Sequence, residues 1–126
     1  SDQDDSHAAL LGELSGAVAA FCDDMSKRGQ ADRVLGIAFS EFGRRVKENA
    51  SRGTDHGAAA PLFAFGGKVT PGVIGKHPSL TDLDDGDLKY HTDFRRVYAT
   101  LLEGWLGWPT RDVLGGDHKP LPILKA

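Results

Sequence analysis

The sequence predicts an α/β fold, and three features predict it. A helical stripe opens the chain, two short and almost wholly apolar runs follow, and a second amphipathic helix stands near the carboxyl end. An amphipathic helix leading into a strand buried on both faces is the half-unit from which α/β sheets are built.

The first stripe runs from Ser6 to about Gly29. Leu10, Leu11, Leu14, Val18, Phe21 and Met25 recur at three- and four-residue steps, the spacing that aligns side chains on one helical face. Asp5 or Ser6 can cap its start, and Gly29 suits the left-handed residue beyond its end. The run Val34–Phe39 is the first predicted strand, of the buried kind found in parallel sheets. "GRRVKENASRGTDHG" is polar and glycine-rich, and reads as a connection. "PLFAFGG" supplies the second strand, Leu62 to Phe65, stopped by Gly66 and Gly67. "TPGVIGKHPSL" is a loop with a brief extended piece at Val73 and Ile74, and "TDLDDGDLKYH" is acidic and rich in turns. The second helix starts from Thr92 as its cap. It carries Phe94, Val97, Tyr98, Leu101, Leu102, Trp105 and Leu106 on one side, and Gly107 and Pro109 end it. The last residues, "VLGGDHKPLPILKA", read as an arm packed on the surface.

At 126 residues the chain suits a single domain, 1–126. Its 40% hydrophobic and 26% charged content excludes disorder as the main state. A net charge of −3 excludes a broad nucleic-acid or anionic-membrane surface. The one cysteine, Cys22, excludes an internal disulfide and a thiolate metal cluster; on the first helix's apolar side it reads as core. No run approaches the ~20 apolar residues of a membrane-spanning helix. Two helices with two or three buried strands are few for a self-sufficient sheet, so neighbours are expected from the rest of a longer parent or from a second copy.

In open α/β sheets, binding groups gather at the carboxyl ends of strands. Two polar clusters flank the expected strands: Ser40-Glu41-Phe42-Gly43-Arg44 and Thr54-Asp55-His56-Gly57. Glu41, Asp55 and His56 offer two carboxylates and an imidazole, a mixed set that suits Zn²⁺, Mn²⁺ or Fe. Arg44 can meet an anionic oxygen bidentately, as a phosphate or sulfate requires. The blander reading stands beside it: an Asp-His pair in a solvated turn, with Glu41 as an ion-pair partner of Arg44 or Arg45. His7, His77, His91 and His118 read as surface or structural. The run Asp82, Asp84, Asp85, Asp87 lacks the order of a calcium loop and reads as a turn-rich surface. Asp93 and Arg95 read as helix-start chemistry.

"FSEFGRRVKEN", "GTDHGAAAPLFAFGGKV", "HPSLTDLDDGDLKYHTDFRRVYATLLEGWLG" and "VLGG" resemble the carboxyl-terminal part of a large bacterial family, domain of unknown function 1501. The resemblance covers Ser6 to Leu124. Members of that family resemble the alkaline phosphatase and sulfatase superfamily: metal-dependent hydrolases of phosphate and sulfate esters with a three-layer α/β/α fold. The resemblance implies that Glu41 sits where a strand-end acidic ligand falls, that His56 before "PLF" is another ligand, and that Asp55 neighbours them. It implies Arg44 facing the anionic ester, and a parent exported to the periplasm or beyond. Ser-Glu-Phe-Gly departs from the superfamily's usual strand-end Asp-His or Asp-Asn pair, and no counterpart of its nucleophile stands in this chain. A metal-dependent ester hydrolase incomplete on its own, and a non-catalytic binding protein that keeps the fold, are therefore both expected outcomes.

Overall fold

In a computed structural model, residues 3–125 are described. The chain divides into two compact units, Ser1–Gly67 with Pro78–Tyr90, and Lys68–His77 with His91–Ala126.

The first unit begins with helix α1, Gln3–Lys27. The cap expected at Asp5 or Ser6 is displaced: both lie inside a helix that already runs at Gln3. Gly29 has the expected left-handed backbone, with φ +65. The predicted stripe is only half used. Val18, Cys22 and Met25 are partly covered, whereas Leu10, Leu11 and Leu14 remain exposed. Phe21 meets the ring of Phe65 edge-on, with centroids 6.5 Å apart.

A 3₁₀ turn, Ala31–Arg33, leads to β1, Gly36–Ala38. β2 is Gly43–Glu48, β3 is Thr54–Gly57 and β4 is Phe63–Phe65. Both predicted strands therefore form, but they pair with each other, antiparallel, as β1 with β4 in the register Gly36↔Phe65, Ile37↔Ala64 and Ala38↔Phe63. A parallel neighbour would need a crossover connection; instead the chain between them folds back on itself as a hairpin, β2 with β3. That hairpin replaces the expected connection. A second hairpin, β5 (Leu83–Asp84) with β6 (Asp87–Leu88), turns through Asp85 and Gly86, both at positive φ, as a two-residue Asp-Gly turn requires. The mixture of helix and strand is thus as predicted, while the sheets among the described residues are small, two-stranded and antiparallel.

In the second unit, Val73 is fully exposed and the expected extended piece does not form. Helix α2, Phe94–Ala99, continues as a π-helix over Thr100–Leu106 and ends at left-handed Gly107. Its cap is Asp93 rather than Thr92, the carboxylate accepting from the Arg95 amide. Helix α3 is Thr110–Leu114, closed by left-handed Gly115. The carboxyl-terminal segment is no surface arm. Ile123 is buried, its carbonyl accepts from the Thr70 amide, and Leu124 bridges to Val69. Buried Thr100 ties this segment to the helix: its hydroxyl donates to the Arg96 carbonyl and accepts from the Leu121 amide.

Among the described residues, no helix is long and apolar enough to cross a membrane.

Candidate functional site

The β2–β3 hairpin brings together most of the residues singled out from sequence. Its geometry is set at both ends. At the open end Gly43 faces Gly57. A Cβ on Gly43 would stand 1.6 Å from the Ala59 carbonyl oxygen, and one on Gly57 would stand 2.8 Å from the Arg44 carbonyl carbon. Only glycine permits this close approach.

At the closed end Asn49 organises the turn. Its side-chain oxygen accepts from the amides of Ser51 and Gly53, its own amide donates to the Gly53 carbonyl, and its Nδ2 donates to Asp55 at 2.9 Å. Arg52, at φ +55, makes the left-handed step that the turn needs. Gln3 at the start of α1 braces the same turn: its amide donates to the Arg52 carbonyl, and the Thr54 hydroxyl donates to its side-chain oxygen.

Between these ends, Arg44 and His56 are direct cross-strand partners, so their side chains share one face of the hairpin. Phe42, just before β2, lies beneath them. The His56 ring stacks on it with centroids 3.6 Å apart and planes at 17°. The Arg44 guanidinium stands 5.4 Å from the same ring's centroid and donates to the Thr54 carbonyl at 2.7 Å. Arg44 meets no carboxylate among the described residues. Arg45 differs, being paired with Asp87 at 3.2 Å.

Arg44, Arg45, Asn49, Thr54, Asp55 and His56 line a shallow depression of about 540 Å³, widely open to solvent. A guanidinium that meets no carboxylate among the described residues, beside a stacked imidazole and with an amide nearby, is a surface that can hold an anion.

The expected metal trio fares differently. Asp55 and His56 are successive residues on β3 and both line the depression. Asp55 is engaged by Asn49, and Glu41 stands exposed on the bend before β2, paired with neither Arg44 nor Arg45. Among the described residues, no three His, Cys, Asp or Glu side chains converge as metal donors. The residues present do not by themselves fit a three-ligand metal centre.

Phe42 and Asn49 were not singled out from sequence. Phe42 stands two positions before Arg44, the spacing that puts it on the same strand face, and the Asn49…Gly53 interval is a turn signal. Of the remaining candidates, His118 is half-buried and His7, His77 and His91 are exposed. Asp82 pairs with Lys89 across the β5–β6 hairpin.

A family model described as "Protein of unknown function (DUF1501)" matches residues 1–107. No curated protein and no solved structure was found to match.

Proposed function

The chain belongs to the DUF1501 family, and from that premise we propose that it is part of a hydrolase-like protein acting on phosphate or sulfate monoesters, in which this chain recognises the anionic group. The observation that carries the proposal is Arg44: a guanidinium that meets no carboxylate among the described residues, set opposite His56 at the rim of an open depression. Two of its N–H groups can face one tetrahedral anion while a third holds the Thr54 carbonyl.

In this reading the chain is the carboxyl-terminal portion of a larger alkaline-phosphatase-like domain in an exported parent, and the parent's remaining residues supply the nucleophile. The divalent metal, Zn²⁺, Mn²⁺ or Fe, rests on the family resemblance alone. Glu41, Asp55 and His56 would reach it only with donors from elsewhere, and it would supply Lewis-acid polarisation of the ester. The chain by itself is then not a competent enzyme.

The failure of the three donors to converge favours a second reading, a non-catalytic binding protein that keeps the fold. The two readings share the anion face and differ in metal.

Titration of inorganic phosphate and sulfate into the chain and into Arg44→Ala tests the shared part: losing one charge-assisted contact pair should weaken binding about tenfold or more. Equal binding by both would refute it. Elemental analysis of the chain and of His56→Ala separates the readings: metal retained by the chain and lost from the variant supports the hydrolase.

A further inference from the structure

Helix α1 stands in water along its first half. From Ser6 to Ala17 every residue is exposed, and only beyond that do Val18, Cys22 and Met25 gain partial cover. This length is not composed as a solvated helix is. Between Ser6 and Cys22 the sequence carries one formal charge, Glu13, whereas a helix surface that meets water is rich in charged and polar residues. Leu10 is 62% exposed, and Leu11, Leu14 and Phe21 are exposed beside it. At about 100° per residue these four fall on one face with Val18 and Cys22. A membrane is a poor cover for that face. Among the described residues no helix is long and apolar enough to cross one. An interfacial anchor carries Lys and Arg beside its apolar face, and the segment from Ser6 to Met25 has neither.

The stripe has the same spacing read from either end. Leu10 and Cys22, Leu11 and Phe21, and Leu14 and Val18 are each equidistant from position 16. Two copies of α1 laid antiparallel about that point therefore bring Leu10 and Leu11 of each to the level of Cys22 and Phe21 of the other, with Leu14 level with Val18. Such a contact is isologous, the same patch used twice. The two halves of the stripe also differ in relief. Leu10 and Leu11 project into solvent, while Phe21, Cys22 and Met25 border an apolar hollow of about 190 Å³ shared with Val34, Gly66 and Gly67. An apolar cavity of ~150 Å³ holds a benzene ring, so this hollow has room for a leucine side chain. Charge agrees with the same register. It sets positions 4 and 5, both aspartate in the sequence, at the level of Arg28 and Lys27. Those two cations are held in exposed pairs with Asp24 and Asp23, contacts weak enough to be shared. A parallel pair would set the aspartates together and align the two helix dipoles, both unfavourable.

We propose that α1 is a self-association surface. Two copies of this chain pair through antiparallel α1 helices, the leucines of each entering the hollow beside Phe21 and Cys22 of the other. The proposal does not rest on the anion reading above.

The experiment is sedimentation equilibrium of the chain from micromolar to millimolar concentration, where a monomer–dimer equilibrium is expected. Leu14→Glu sets two carboxylates beside the pairing axis and should weaken association about a hundredfold or more. Because Leu14 is exposed in the single chain, the substitution removes little from the monomer. Glu13→Lys, off the stripe, should leave association unchanged. Leu11→Cys gives a second readout. Mild oxidation should join position 11 of one copy to Cys22 of the other. The unaltered chain should not cross-link, since its two Cys22 would lie about 18 Å apart along the pair. A dimer that is lost in Leu14→Glu and links positions 11 and 22 supports the proposal. A chain that stays monomeric throughout overturns it and leaves the face to a different protein surface. A dimer that persists in Leu14→Glu, or that fails to link 11 to 22, runs through another contact and overturns it as well.

Discussion

The two compact units are held by different means. In the unit that contains α2 and α3, Val97, Ala99 and Ile123 are buried apolar side chains, and the buried hydroxyls of Thr100 and Thr110 are each hydrogen-bonded, the latter to Glu103. The hairpin unit has no apolar side chain so fully buried among the described residues; its one buried position on β2 is Gly43. There the geometry comes from a glycine that lets two backbones touch, an asparagine that closes a turn, and a ring stack. The lesson is that the candidate binding face is built by backbone sterics and polar contacts, which shape a surface without removing it from solvent.

The sharpest way to break this contrast is Gly43→Ala. The new methyl would meet the Ala59 carbonyl, a backbone atom that cannot swing aside. We expect a loss of about 3 kcal/mol or more, concentrated in the hairpin. Amide exchange across Arg44, His56 and Gly57 should accelerate, while fluorescence of Trp105 and Trp108, both in the other unit, should change little. A Trp transition shifted by the same amount would make the two units one cooperative body.

The complementary change is Ile123→Ala. Removing a buried aliphatic side chain should cost about 3 kcal/mol and shift the Trp-detected urea midpoint. Hairpin amide exchange reports whether the effect stays local.

A smaller effect is expected from Asn49→Ala. The turn loses its side-chain acceptor for two amides and Asp55 loses its donor, at about 1 kcal/mol. Inorganic phosphate binding should also weaken, because Asp55 is then a freer negative charge on the rim. Unchanged binding would show that Asp55 does not act on the site.

The smallest effect is a pH dependence at α2. The Arg95 side chain, and after it the Arg95 amide, donate to the Asp93 carboxylate and hold its pKa at about 2, below the ordinary 3.8. A depressed carboxylate contributes stability above its unfolded value and loses it as pH falls through the folded value. The cap should therefore weaken between about pH 4 and pH 2. Amide shifts of Arg95 and Arg96 report it, and Asp93→Asn should abolish the titration.

How much was legible in the sequence follows from the same contrast. Periodicity reports which side chains a helix withdraws from water, so the stripe from Phe94 to Leu106 located the second helix within two residues and predicted its stop at Gly107. The π-helical turns within it left no mark, because the apolar stripe does not include Thr100, whose hydroxyl binds the Leu121 segment. The carboxyl-terminal segment looked like an arm because Ile123 is the one buried residue between Pro120 and Lys125, and a single buried residue has no period.

The hairpin was missed for a related reason. Arg44-Arg45-Val46-Lys47-Glu48 lacks the apolar alternation of a half-buried strand, since nothing in it packs into a core. The candidate residues Arg44, Asp55 and His56 were still found, because their side-chain chemistry needs no fold to be recognised. Which of them share a face depends on register, and that is set by Gly43 against Gly57 and by the turn at Asn49. The short runs at Ile37 and Phe63 were read as strands buried in a parallel sheet because they are apolar; the tight hairpin between them makes them antiparallel neighbours instead.

The central claim is that the anion face lies on the β2–β3 hairpin and centres on Arg44. The most direct measurement is a two-dimensional amide and arginine side-chain NMR titration with inorganic phosphate. The account predicts perturbations confined to Phe42, Arg44, Arg45, Thr54 and His56, with the Arg44 guanidinium moving most and all of them lost in Arg44→Ala. Perturbations centred on the α2–α3 unit, or unchanged in Arg44→Ala, would contradict it.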